Sequence, residues 1–230
     1  MPAEPRPRAL LAWSGGKDAA WALHVLRQRG EVEVVGLLST VTEGHERASM
    51  QGVRVEVIRA QAAAAGLPLL ESRIPQQCDN TCYETRFAAT LEQARARWPG
   101  IGTMAFGDLL LADIRAWRES VYGRMGWKTL FPLFGRDTAA VAAEMLAGGL
   151  RADVCCVDIT QLDAAFAGRA FDAALLADLP AGVDACGENG EFHTCVRAGP
   201  MFDHALDLRQ GETVLRDGRF AYTDVLIAPD

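Results

Sequence analysis

The chain has 230 residues, 50% of them hydrophobic and 23% charged, with a formal net charge of −7. That composition excludes disorder on a large scale and allows one large domain or two small ones. The acidic balance supplies no global cationic field, so tight nonspecific nucleic-acid binding is disfavoured, while a local basic groove stays open.

The chain starts "MPAEPRPRALLAW", arginines ahead of an apolar run of about five residues, shorter than the roughly 7 to 15 residues of a secretory h-region. No apolar stretch approaches the roughly 20 residues of a membrane span. Six cysteines are too few and too scattered for a disulfide scaffold, and reduced thiols in the cytoplasm are expected.

Short apolar runs then alternate with helical patterns. Strands are expected at Ala9–Trp13, Val32–Thr40, Leu67–Ile74 and Gly102–Phe106, and helices at Asp18–Arg29, Gln51–Ala65 and Thr81–Trp98. Thr81 and Glu84 have the spacing of a capping box at the third helix start. Strand, helix, strand at this spacing predicts right-handed crossovers and a parallel sheet covered on both faces, with ligands outside the carboxyl ends of its strands. Ser14–Asp18 and Gly107-Asp108 fall at such ends.

A helix over Leu111–Arg124 precedes "GWKTLFPLFGRDT", where Gly126, Pro132 and Gly135 break regular structure and place a domain junction. Beyond it a helix is expected at Thr138–Leu146, a strand at Asp153–Asp158 and a helical stretch at Asp163–Leu176. Asp217-Gly218 lies between two alternating runs and signals a hairpin.

"SGGKDA", Ser14 to Ala19, joins the first strand to the first helix. Adjacent glycines let backbone amides approach a phosphate, the helix presents unpaired N–H groups and a positive dipole end, and Lys17 adds a mobile charge. The spacing is neither that of a Walker loop nor of a dinucleotide fingerprint. A plain tight turn, with Asp18 favouring the helix start, is the alternative.

The second constellation is "GVDACGENGEFHTCVRAGPMF", which gathers Asp184, Cys186, Glu188, Asn189, Glu191, His193, Thr194 and Cys195. Carboxylates and an imidazole at this density can bind magnesium, orient an amine or move a proton. Asn189-Gly190 equally suits a surface hairpin. Cys186, His193 and Cys195 as zinc ligands would lack the paired close spacing of structural sites. Cys78 and Cys82, in "QQCDNTCYET", have a three-residue gap that is not the usual redox or zinc pair, and read as buried or incidental thiols. Arg115 and Glu119 are spaced either as an exposed ion pair or, for Arg115, as a fork for a phosphate or carboxylate.

"SGGKDA" resembles the pyrophosphate loop of the N-type ATP pyrophosphatases. Together with "GENGEFHT" and the middle stretch "FGDLLLADIRAWRESV", carrying Gly107, Asp108, Arg115 and Glu119, nearly the whole chain resembles the diphthine-ammonia ligase family. The resemblance implies an α/β fold: a three-layer, parallel-sheet N-terminal domain of the adenine nucleotide alpha hydrolase (HUP-like) type over residues 1–128, and a smaller mixed α+β C-terminal domain over 129–230. It implies an ATP-dependent, AMP-forming amide ligase with magnesium, in which Ser14, Gly15, Gly16, Lys17, Asp18 and Arg115 bind the nucleotide. Asp18 would act through the metal or by holding the loop. Asp18, Asp108, Glu188, Glu191 and His193 would be catalytic, the two glutamates binding or deprotonating ammonium. The implied acceptor is a carboxylate, on elongation factor two where the host makes diphthamide or on another molecule; the sequence leaves the assembly open, with a homodimer as one option. Ala19 stands where the loop pattern usually has serine, removing one hydroxyl contact. An RNA-thiolating enzyme and a noncatalytic nucleotide sensor are the alternative members of the wider superfamily.

Overall fold

The computed structural model describes residues 6–49 and 51–229. The first five residues, and with them the start of the leader-like segment, lie outside these.

Among the described residues two sheets form. In the first, β1 (Arg8–Ala12), β2 (Glu33–Thr42), β4 (Leu69–Ile74), β5 (Thr103–Ala105) and β6 (Lys128–Leu130) run parallel in the order β4-β2-β1-β5-β6, and β3 (Arg47–Ala48) pairs antiparallel with the far end of β2. Chain order reverses beside β1, the position at which open α/β sheets form a crevice. Successive residues of β1 point to opposite faces: Leu10 packs with Phe87 and Leu91 of α3 (Asn80–Arg97) and Tyr122 of α4 (Ala112–Arg124), and Leu11 with Trp21 of α1 (Lys17–Arg29) and Ile58 of α2 (Val55–Ala64). That alternation makes the expected three layers.

The second sheet is antiparallel, in the order β8 (Phe192–Ala198), β7 (Arg151–Asp158), β10 (Phe220–Ile227) and β9 (Leu208–Arg216). It is reached through α5 (Thr138–Ala147). The core does not stop at the junction: one cluster of buried residues runs from α1 and α2 through Val141 and Met145 of α5 to Val154 and Val196 in the second sheet.

Several expectations are corrected. α3 is capped by the Asp79 carboxylate, which accepts the Cys82 N–H at 2.7 Å, rather than by Thr81; Glu84 instead binds Arg124. α2 starts at Val55, because residues 51–54 turn back to close β3. Residues 128–130, read as part of an irregular junction, are strand β6, so the expected boundary at 128/129 falls inside a strand of the first sheet. The stretch from Asp163 to Leu176 is not one helix: Gly168, at φ +83, separates a short 3₁₀ turn (Ala164–Phe166) from α6 (Ala173–Asp178). Asp217 and Gly218 both have positive φ, 53 and 60, as a type I′ hairpin between β9 and β10 requires. Asn189-Gly190 is no such hairpin, since Asn189 has ordinary φ and the loop leads into β8 from irregular chain. Cys78 and Cys82 are half-buried rather than buried, while Cys155 and Cys156 lie inside β7 as expected.

Candidate functional site

A cavity of about 790 Å³ opens over the carboxyl ends of β1, β2 and β5 and is closed on the far side by residues of the second sheet. Ser14, Gly16, Lys17, Asp18, Asp108, Glu188 and His193 all line it, so residues from both sheets, far apart in sequence, meet here. Its volume falls in the range of small-molecule sites.

The loop after β1 is held from three directions. Gly15 takes φ +81, a conformation costly for any residue with a Cβ, and a Cβ there would lie 2.6 Å from Ile58. The buried Gln61 of α2 accepts the Trp13 indole N–H at 3.0 Å and donates to the carbonyls of Gly15 (3.0 Å) and Val196 (2.7 Å). From β8, the Val196 N–H donates to the Gly15 carbonyl. The amides at the head of α1 are met by hydroxyls: Gly16 N–H donates to Ser14 Oγ at 3.3 Å, and Lys17 N–H to Thr194 Oγ1 at 3.0 Å. A hydroxyl that accepts an amide keeps its own O–H to give, so Ser14 and Thr194 extend the donor set of the helix end toward an anion. Thr194 belongs to the dense polar run of the C-terminal motif, where its sequence position gives it no role of its own.

Lys17 is not mobile. Its ammonium is 2% exposed, donates to both Asp18 carboxylate oxygens (3.0 and 2.9 Å) and to the Cys186 carbonyl, and sits 5.5 Å from the Phe192 ring centroid. The charge of Asp18 keeps Lys17 protonated against its burial, while burial holds the Asp18 carboxyl above the usual range despite Lys17 beside it. A buried cation must be paired, and here the pairing consumes its three donors.

Asp108 follows β5 and forms a two-point ion pair with Arg118, Oδ2 to Nε at 2.8 Å and Oδ1 to Nη2 at 3.2 Å. Gly107 lets this end approach α1: a Cβ there would lie 2.7 Å from the Asp18 carbonyl carbon. Arg115 does not join the cavity. It pairs with Glu119 at 2.8 Å on the exposed side of α4 and stacks on Phe134, 4.6 Å from the ring centroid. Arg118, three residues on, is the arginine of that helix that faces the cavity.

The loop before β8 separates its two glutamates. Glu188 accepts the N–H groups of Leu109 (2.9 Å) and Leu110 (3.2 Å), and burial together with the Asp18 charge pushes its carboxyl up to about 7. Glu191 is buried away from the cavity wall and folds the loop, accepting from Asp184 N–H, Asn189 N–H and the Asn189 side-chain amide at 2.9 to 3.0 Å. His193, on β8, is held down to about 4 by burial and by the Lys17 charge, so its ring is neutral at pH 7. Cys186 donates to the Thr138 carbonyl and Cys195 lies against Gln61, so the two thiols do not converge with His193. Among the described residues no three His, Cys, Asp or Glu side chains converge as a metal cage.

The donor set suits a nucleotide. The buried Ser39 hydroxyl on the cavity wall has no partner, and the head of α1 faces the same space. For magnesium, Asp18 and Asp108 are two carboxylates on that wall, and this ion is commonly bound through one or two carboxylates plus substrate phosphates.

The family model "Diphthamide synthase N-terminal domain" matches residues 7–129, and "Diphthamide synthase C-terminal domain" matches residues 137–224. A relative from Schizosaccharomyces pombe, named diphthine--ammonia ligase, is 26% identical over 220 residues, covering 87% of this chain; the chain spans 36% of that relative's length. Among solved structures, the U34-tRNA thiolase NcsA from Methanococcus maripaludis with its [4Fe-4S] cluster aligns over 63% of this chain and 58% of its own, at 12% identity and a TM-score of 0.39. No helix among the described residues is long and apolar enough to cross a membrane. With both parts matched in order along the chain, this protein belongs to the diphthamide synthase family.

Proposed function

We propose that the protein is an ATP-dependent amide ligase of the diphthine-ammonia ligase type, with the part of the chain through β6 chiefly binding nucleotide and the part after it chiefly supplying the acceptor side. One observation carries the reading: the glycine loop at the head of α1, Glu188 and His193 border a single cavity. A nucleotide and an amine donor can therefore meet there.

In this reading an acceptor carboxylate attacks the α-phosphorus of ATP, pyrophosphate leaves, and ammonia displaces AMP from the acyl adenylate. Ser14, Gly16 and Thr194 hold the departing pyrophosphate with hydroxyl and helix-end donors. Magnesium would be held by Asp18 together with the substrate phosphates and would neutralise phosphate charge, Asp108 being paired with Arg118. Ammonium has no lone pair until it loses a proton, and Glu188, near 7, exchanges protons readily at neutral pH. Neutral His193 offers a second acceptor beside it. Glu191 keeps the loop folded so that Glu188 stays in place. The acceptor is a protein carboxylate, on elongation factor two in a host that makes diphthamide, or a small-molecule carboxylate; cytoplasmic location and a homodimer complete the reading.

The test is product analysis: the protein, magnesium and ATP are incubated with ammonium and fractions of host extract, with Asp18→Asn as control. AMP and pyrophosphate, lost in the control, are expected. ADP and phosphate would overturn the reading, and bound but intact ATP in every fraction would leave a nucleotide sensor. The RNA-thiolating alternative rests on Cys78 and Cys82, which lie off the cavity wall, with the Cys78 thiol pushed up to about 11. Loss of activity in a Cys78→Ser, Cys82→Ser variant would replace the ligase by that enzyme.

A further inference from the structure

The cavity places negative groups where an anionic substrate must sit: Asp18, Asp108 and Glu188 all line it. An anion bound there needs a cation with donors to spare. Lys17 has none, since its ammonium is divided between Asp18 and the Cys186 carbonyl. Arg219, on the opposite rim, gives Nε and Nη2 to Asp158 and is 53% exposed, so much of its charge faces water.

Arg118 differs from both. Asp108 Oδ1 accepts from Nη2, while Oδ2 lies 2.8 Å from Nε as a charge contact without a hydrogen bond; the Phe106 ring lies 4.3 Å beneath the guanidinium carbon, and the side chain is 23% exposed on the cavity wall. Ring and carboxylate fix the plane of the fork, and among the described residues neither Nε nor Nη1 has a hydrogen-bond acceptor. A planar cation held on two sides with its outer edge toward a cavity has already lost the rotamer freedom that binding would otherwise remove. An arginine needed only to neutralise Asp108 has no requirement for the aromatic shelf.

The geometry points to Arg118 as the residue that binds the substrate oxyanion at the reacting centre, with Asp108 as its positioning residue. The oxyanion is either the α-phosphate of the nucleotide or the carboxylate of the acceptor, two groups that the guanidinium fork meets with the same pair of N–H donors. This assignment rests on the ligase reading for its second source and on nucleotide binding alone for its first.

The test compares Arg118→Gln and Arg118→Lys with the unaltered protein by calorimetric titration with AMP and with adenosine, and by AMP and pyrophosphate release with extract fractions. Adenosine lacks the phosphate, so equal adenosine binding certifies a folded site. If Arg118 binds the α-phosphate, Arg118→Gln weakens AMP about tenfold to a hundredfold and leaves adenosine unchanged, and Arg118→Lys recovers only part of the loss. In that case Asp108→Asn weakens AMP in the unaltered protein but adds nothing in Arg118→Gln, a coupling that a merely structural Asp108 would not produce. If Arg118 binds the acceptor, AMP affinity holds while the KM for the stimulating fraction rises by a similar factor. Unchanged AMP affinity together with unchanged turnover overturns the assignment, and so does unchanged AMP affinity in a protein that shows no turnover at all. Failure of the ligase reading would show separately, as missing AMP and pyrophosphate in the unaltered protein.

Discussion

The Glu188 carboxylate accepts the backbone N–H of Leu109 at 2.9 Å, joining the loop before β8 to the residue that follows Asp108. This bond brings two motifs 79 residues apart to one wall. It also leaves Glu188 beside Asp18, whose charge, added to burial, accounts for a carboxyl near 7.

Glu188→Gln tests that arrangement in two ways. As a base, Glu188 makes the rate of amide formation rise with pH through about 7, and the glutamine variant loses the limb and about 10²- to 10⁴-fold in rate. For stability, a carboxyl raised from 4.5 to about 7 is harder to ionise when folded, so its contribution falls as pH rises across that window. Urea denaturation should show Glu188→Gln gaining about 1–3 kcal/mol on the unaltered protein between pH 4.5 and pH 8.

His193 works in the opposite sense. Its folded pKa is depressed from 6.5 to about 4, so stability is full above 6.5 and is lost as pH falls through 4. With allowance for its partial exposure the loss is about 2 kcal/mol, and His193→Gln should remove that part of the acid limb. Denaturation midpoints for the two proteins that move in parallel between pH 7 and pH 4 would contradict the neutral buried ring.

Gly107→Ala should damage the approach of β5 to α1. The added methyl would meet the Asp18 carbonyl carbon at 2.7 Å and the Ala19 nitrogen at 2.8 Å, both backbone atoms that cannot rotate away. A loss of about 1–3 kcal/mol and weaker ATP binding are expected. Thermal melting and nucleotide titration read the two effects, and an unchanged melt would refute the close contact.

Gln61→Leu should cost about 2–4 kcal/mol, because it leaves the Trp13 indole N–H and the Val196 carbonyl without their partner and removes one donor from the Gly15 carbonyl. Hydrogen exchange of the Gly15–Asp18 amides should quicken in the variant. The loop is braced by α2, a segment in which the sequence displays no chemical motif.

Much of the fold is legible in the chain. The alternation of apolar runs and helical periods gives the parallel strands and the helices of both outer layers, because local spacing alone decides which residues share a face. The glycines of "SGGKDA" and the Asp217-Gly218 pair are legible for the same reason: each meets a backbone demand within a few residues of itself. Strand β6 was hidden because three residues between glycine-rich turns carry too little pattern, and their strand form comes from pairing with β5. The break at Gly168 was hidden because the apolar spacing on either side still suits one helix.

By itself, then, the sequence determined the sheet class, the glycine loop at the head of the first helix and the cluster of polar residues near residue 190. Only the tertiary structure decided which of those polar groups act together. Arg115 and Arg118 lie on one helix and Glu188 and Glu191 in one loop, and no local rule separates the members of either pair. The separation comes from folded contacts: Asp108 and Phe106 draw Arg118 to the cavity, the Leu109 amide, 79 residues away, draws Glu188, and Asp184 and Asn189 of its own loop turn Glu191 inward. Lys17 follows the same logic, its charge fixed by a carbonyl 169 residues away. Spacing specifies which neighbours a residue can have along the chain, whereas burial and pairing of charge depend on what the fold brings from elsewhere.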